Sequence, residues 1–189
     1  DDMVSRGLGD VYKRQAIVWF HAPHLPVVAS AEDAASYDDG KNTAFQRNYN
    51  GCVTALDHAV GRLRAQLRDQ GIANNTVITF CSDNGPEGKD GAPGLQGDFR
   101  GRKRSLYEGG VRVPSLIEWP AKIAPGSVSK AATCTVDYFP TIMEIVGFEL
   151  PDDRPLDGIS LMPLINGKMK ERPTPVSYTH LTLPTRYRV

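Results

Sequence analysis

The chain has 189 residues, with 22 basic and 22 acidic side chains, a formal net charge of zero and three cysteines. That balance gives no electrostatic reason to bind nucleic acid or an anionic membrane. Cys52, Cys81 and Cys134 offer neither an even disulfide framework nor zinc-type spacing. No apolar stretch approaches membrane-spanning length.

The two ends read differently from the middle. Ser5–Gln15 (SRGLGDVYKRQ) back-translates in frame into a sequencing-library transposon adapter. Val176–His180 (VSYTH) is what the reverse complement of that adapter encodes in another frame. Residues 1–15 and 176–189 are therefore expected to be non-native and are set aside in reading the fold. Residues 16–175 are enough for one domain with its own core.

In chain order, AIVWF (Ala16–Phe20) predicts a short buried strand, broken by HAPHLP. Residues 29–42 are small, acidic and polar, as in an exposed loop. From Thr43 to Gln70 the period becomes helical. Tyr49, Cys52, Val53, Leu56, Val60, Leu63 and Leu67 recur at steps of three and four, and Gly71 supplies the stop. TVITFCSD (76–83) predicts a strand covered on both faces. Residues 84–105 form a glycine-rich loop too long to be an idle connection. VRVPSLIEW (Val111–Trp119) predicts another strand, with Pro114 marking an edge or a bulge. Asp137 is placed to cap a helix through Phe139, Ile142, Met143 and Val146, closed by Gly147. A short helical turn follows around Leu161–Ile165. Strand, helix, strand in this order predicts a right-handed crossover and a mostly parallel sheet.

In such a sheet, ligands bind beyond the carboxyl ends of the strands. Two predicted strands end in polar groups there: His21 and His24 after the first, Ser82, Asp83 and Asn84 after the second. The oxygens of Asp83 and Asn84 suit a hard cation, Ca²⁺ or Mg²⁺. The same residues before Gly85 and Pro86 equally suit an Asx turn. His21 and His24 could donate a proton or hold an anion, or could be hydrogen-bonded structural histidines. His58 lies within the long helix, as a structural or solvated group. Lys103, between Arg102 and Arg104, could meet a tetrahedral anion or belong to a solvated basic loop. Glu108 and Arg112 have the spacing of an ion pair that shapes the loop.

Taken together, HAPHLP, the helix containing LDHAVGRL, NTVITFCSDNGP, RGRKRSLYEGGVRVPSLIEWP, VDYFPTIMEIVG and LDGISLMPLI resemble the C-terminal part of the sulfatase family, in order and spacing. The resemblance implies an alkaline-phosphatase-like α/β/α sandwich, incomplete at its N-terminus, over residues 16–175. It implies hydrolysis of sulfate esters of small molecules or carbohydrates, with no nucleic-acid or membrane partner and with the oligomeric state left open. Asp83 and Asn84 match the SDN motif whose side chains hold the divalent cation, usually calcium, with magnesium the other choice. Lys103 matches the sulfate-contacting lysine and His24 the histidine that binds sulfate and protonates the leaving group. His21 matches its companion. Export to periplasm, lysosome or exterior is the family habit.

The departure lies in the nucleophile. The family uses a formylglycine made within a CxPxR element, and CVTAL, CSDNG and CTVDY do not fit it. The paired N-terminal aspartates that complete the metal site are also missing, since Asp1 and Asp2 lack their context. The chain is therefore expected to be a sulfatase cut upstream of Ala16 and inactive by itself. Two other readings stay open: a phosphate or phosphonate ester hydrolase of the same superfamily, and a non-catalytic metal-binding remnant.

Overall fold

A computed structural model of the chain describes residues 14–88 and 92–175. Most of the two ends read as non-native lies outside the described residues. The chain divides into two compact units, one running to Ala121 and the other starting at Lys122.

The first unit is organised by one long helix. After α1 (Ala31–Ala35), α2 runs from Ala44 to Asp69. Its start is written in the sequence. The Thr43 N–H donates to the Gln46 side chain at 2.8 Å, and the Gln46 N–H donates back to the Thr43 hydroxyl at 3.2 Å. That reciprocal pair satisfies two donors that a helix end otherwise leaves bare. Gly71, at φ +70°, terminates it, because a left-handed residue there costs glycine little. α2 buries Gly51 and Cys52. Gly51 is required by close approach: a Cβ there would meet the Ala29 side chain and the backbone of α1.

β1 (Ile78–Cys81) pairs with β2 (Ser115–Glu118) in an antiparallel register, Ile78 opposite Glu118 and Cys81 opposite Ser115. The one strand pair among the described residues is antiparallel, so the parallel pairing that strand–helix–strand order predicts is not what joins these two strands. Strand order along a chain carries no information about which strand lies between, so the crossover argument could not see it. β1 is also half-buried, with Thr79 exposed, rather than covered on both faces. Arg64 of α2 fixes β2 by a two-pronged contact with Glu118, Nε at 2.6 Å and Nη2 at 2.9 Å.

AIVWF is not a strand. Ala16–Phe20 is irregular and exposed, Ile17 at 52% and Trp19 at 80%. An apolar run becomes a strand only where an edge accepts its backbone, and no described strand does. The predicted strand from Val111 also starts late. Glu108–Val111 forms a helical turn, α3, and β2 begins just after Pro114.

The second unit carries α4 (Tyr138–Val146) and α5 (Met162–Ile165). Gly147 closes α4 at φ +66°. Asp137 precedes α4 but makes no side-chain cap bond to it, which corrects the expected cap. Its carboxylate instead accepts from the N–H groups of Cys134 (2.8 Å) and Ile159 (2.9 Å) and from Arg172 Nη1 (2.5 Å). The Thr141 hydroxyl donates to the Asp137 carbonyl at 2.6 Å and accepts from the Leu161 N–H at 2.8 Å. Asp137, Thr141 and Leu161 are all buried, so a polar hub rather than an apolar one centres this unit. No helix among the described residues is long and apolar enough to cross a membrane.

Candidate functional site

The turn after β1 and the loop before α3 are locked together by glycine. The Gly85 N–H donates to the Gly110 carbonyl at 2.8 Å, and the Lys103 N–H to the Pro86 carbonyl at 2.8 Å. The Gly109 N–H donates to the Arg100 carbonyl at 2.8 Å. A Cβ on Gly85 would overlap the Gly109 carbonyl, one on Gly109 the Gly101 carbonyl, and one on Gly110 the Ser105 carbonyl. SDNG and YEGG are therefore halves of one backbone interlock. It sets the segment carrying Asp83 and Asn84 against the segment carrying Lys103.

The basic loop around Lys103 is sorted by partner. Arg100 lies over the Tyr107 ring, 3.9 Å from its centroid. Arg102 donates from Nε to the Glu87 carbonyl (2.8 Å), from Nη1 to the Gln96 side chain (2.8 Å) and from Nη2 to the Gly94 carbonyl (2.9 Å). Arg104, at φ +74°, pairs with the Glu87 carboxylate. Arg112 pairs with Glu108 at 2.9 Å, as their spacing implied, and its guanidinium lies 4.7 Å from the Phe99 ring centroid. Lys103 is half-buried, and among the described residues its ammonium has no hydrogen-bond or ion-pair partner. Each arginine in the run has a partner among the described residues, and the lysine has none there.

On the facing turn, the Ser82 hydroxyl donates to the Asn84 carbonyl at 2.9 Å. The Asp83 side chain is exposed and that of Asn84 half-buried, and neither is hydrogen-bonded to another described residue. Their two oxygens are hard donors of the kind Ca²⁺ and Mg²⁺ prefer, though such ions take six or more ligands. Among the described residues, no group of three or more His, Cys, Asp or Glu gathers to complete a set.

His21 and His24 occupy a separate turn, closed by the His24 N–H donating to the His21 carbonyl at 2.8 Å. Their ring centroids are 5.4 Å apart. His24 Nδ1 lies 2.8 Å from the Leu25 carbonyl, which can only accept, so Nδ1 carries a proton and Nε2 is left to exchange one. This segment is tied to α2 by the Ala29 N–H, which donates to the Asn48 side chain at 3.0 Å. Among the described residues, no hydrogen bond or ion pair joins either histidine to Asp83, Asn84 or Lys103.

Sequence reasoning did not single out Arg102 as a clamp. An arginine beside a lysine in a glycine-rich loop reads as solvated charge until its acceptors are known. His58 is exposed and stands 3.9 Å from Asp33.

The backbone is that of the alkaline-phosphatase-like hydrolases. The structure of Ps i-CgsB in complex with k-i-k-neocarrahexaose superposes with a TM-score of 0.71 at 32% identity, over 78% of this chain and 32% of that one. A phosphonate monoester hydrolase from Silicibacter pomeroyi, at 24% identity and TM-score 0.51, shares the fold alone. The sulfatase family model matches residues 13–148. This chain belongs to the sulfatase family. It is 42% identical to mouse (Mus musculus) steryl-sulfatase over 63% of its own length and 20% of that protein. It is 35% identical to the uncharacterized sulfatase YdeN of Escherichia coli over 89% of its length and 29% of that protein. With pig (Sus scrofa) N-acetylgalactosamine-6-sulfatase the figures are 37%, 80% and 28%. The chain thus spans a fifth to under a third of these relatives.

Proposed function

We propose that this chain supplies the cation-and-sulfate half of a sulfate-ester hydrolase. Asp83 and Asn84 would hold a divalent cation, calcium by preference, and Lys103 would bind a sulfate oxygen. A bound cation would polarise the ester and favour charge on the leaving oxygen. When the S–O bond breaks, its electron pair stays on the bridging oxygen. Lys103 stabilises that charge, and a proton from His24 Nε2 neutralises it. His21 would help hold the anion beside His24. The ester is a sulfated small molecule or carbohydrate, in keeping with the relatives named for steryl and N-acetylgalactosamine 6-sulfates.

The observation that carries the reading is Lys103. It is the one cation of Arg100, Arg102, Lys103 and Arg104 without a partner among the described residues. Its segment is also bonded, through Pro86, to the turn bearing Asp83 and Asn84. A half-buried ammonium with no counter-charge among the described residues is suited to receive an anion. No CxPxR element lies in the 189 residues, so the formylglycine nucleophile that the family uses has no source within them.

The test is calorimetric titration of the full chain with sodium sulfate in calcium buffer, beside Lys103→Ala. Saturable heat in the wild type that vanishes in the variant is expected. Equal heats would remove Lys103 from the site.

A further inference from the structure

We propose that Arg102 is a positioning residue: its guanidinium holds the 92–96 loop as a ledge beside Lys103, and Leu95 on that ledge meets the organic part of the sulfate ester. The inference rests on the reading of Lys103 as the sulfate-binding group.

The geometry is specific. A guanidinium has five N–H donors in a rigid fork. Here the fork reaches two separate pieces of chain: the Glu87 carbonyl in the turn after β1, and, on the 92–96 segment, the Gln96 side chain and the Gly94 carbonyl. Nη2 also lies 3.3 Å and 3.4 Å from the carbonyls of Ala92 and Pro93. One side chain therefore gathers acceptors from Ala92, Pro93, Gly94 and Gln96. The loop is closed from the other side as well. Gly94 sits at φ +91°, and a Cβ there would lie 2.8 Å from the Tyr49 hydroxyl and 3.0 Å from Pro86. Tyr49 belongs to α2 and Pro86 to the Asp83–Asn84 turn, so the ledge is pinned between the helix and the candidate site.

Two consequences follow for binding. The residue after Arg102 is Lys103, whose N–H is bonded to Pro86. With the neighbouring side chain anchored and its own backbone fixed, the Lys103 stem has a defined origin. Leu95, in the middle of the clamped segment, is 91% exposed. A loop held this firmly could have turned its leucine inward, and instead it presents it to solvent. The chemistry this offers a ligand is one apolar contact on a segment bonded to Arg102 on both sides of Leu95, with the cationic Lys103 as the next residue after Arg102. It suits a sulfate ester whose carrier has an apolar face, such as an aromatic ring, and gives nothing to inorganic sulfate.

The experiment measures the affinity of the full chain for 4-nitrophenyl sulfate and for inorganic sulfate, in calcium buffer. Amide hydrogen exchange of residues 92–96 is followed in parallel. The wild type is expected to bind the ester at least about fivefold more tightly than sulfate. Arg102→Gln should bring that ratio toward one and speed exchange of 92–96 about tenfold. Arg102→Lys should not rescue it, because the three N–H groups of an ammonium leave one nitrogen and cannot span acceptors that arginine meets from Nε, Nη1 and Nη2. Leu95→Ser should lower the ratio alone, with exchange unchanged. Sulfate binding with no preference for the ester, or an unchanged ratio in Arg102→Gln despite faster exchange, overturns the ledge and leaves Lys103 standing. If the wild type binds neither ligand, the Lys103 reading has failed and this inference falls with it.

Discussion

The Gly85 N–H donates to the Gly110 carbonyl at 2.8 Å, and the Gly85 Cα faces the Gly109 carbonyl so closely that a methyl group would overlap it. The spacing between the Asp83–Asn84 turn and the Lys103 loop is thus set by three glycines rather than by any large side chain. Gly85→Ala should cost about 1–3 kcal/mol, the usual range for forcing a methyl group into filled space. Gly61→Ala, on the open face of α2 with no atom near, is the control and should stabilise by about 0.5–1 kcal/mol. Urea denaturation midpoints read both. Equal midpoints for wild type and Gly85→Ala would mean that the interlock has slack.

The Asp137–Arg172 pair tests the second unit. Asp137 has no exposed surface, and the Arg172 side chain is 5% exposed. Burial alone would push the Asp137 carboxyl up. The Arg172 guanidinium, with the N–H groups of Ile159 and Cys134, outweighs it and holds the group below the usual carboxylate range. A carboxyl whose folded pKa is depressed contributes stability above its unfolded value, near 3.8, and loses it as pH falls through the lower folded value. Thermal denaturation should therefore show a flat dependence near neutrality and a drop beginning below about pH 5. Arg172→Met leaves a buried charge without its partner and should cost about 3–5 kcal/mol. A pH-independent Tm between 3 and 6 would rule the linkage out.

Arg64–Glu118 is the contrasting case. The geometry is as good, with two contacts under 3 Å, but the side chains are 46% and 38% exposed. The bond to Arg64 lowers the Glu118 carboxyl, yet solvent screening leaves such pairs with about 0.2–1 kcal/mol. Glu118→Gln should change the urea midpoint little, and 0.5 M salt should erase the difference. A loss as large as that of Arg172→Met would mean that the pair does more than bridge α2 and β2.

What the sequence made legible is local. The Thr43–Gln46 box, the Gly71 and Gly147 stops and the Glu108–Arg112 pair each depend on residues within about four positions. The family also followed from strings of this kind. What stayed hidden depends on partners far along the chain. AIVWF has the composition of a strand, but composition does not provide an edge to pair with. β1 and β2 have strand patterns that say nothing of direction. Asp137 has the residue type of a cap, and its carboxylate was drawn away by Ile159 and Arg172, 22 and 35 residues on. Of the candidate site residues, Asp83, Asn84, Lys103, His21 and His24 were legible as motif members, while Arg102 was not. Its role exists only in the acceptors it reaches.

Calcium is the test of the turn itself. Two oxygen donors, from Asp83 and Asn84, can hold the ion only weakly without further ligands. Titration of the full chain should give a dissociation constant on the order of 10⁻⁴ M or weaker. Asp83→Ala should abolish the heat and Asn84→Asp should strengthen it by adding charge. Equal heats in wild type and Asp83→Ala would take Asp83 out of the metal site and return the turn to a purely structural role.

Turnover is the sharpest measurement, because a null result is expected on chemical grounds. The roles proposed for Lys103 and His24 are to stabilise and protonate a leaving oxygen, and neither would attack sulfur. The cysteines at 52, 81 and 134 are free thiols outside any CxPxR context, and Cys52 is buried with its thiol pushed up by that burial. A thiol kept protonated is a poor nucleophile. Sulfate release from 4-nitrophenyl sulfate by the 189-residue chain should therefore stay at the uncatalysed background, with or without calcium. Turnover that disappears in Cys81→Ser, two residues before Asp83, would identify a nucleophile within the chain and overturn its assignment as the cation-and-sulfate half of the reaction.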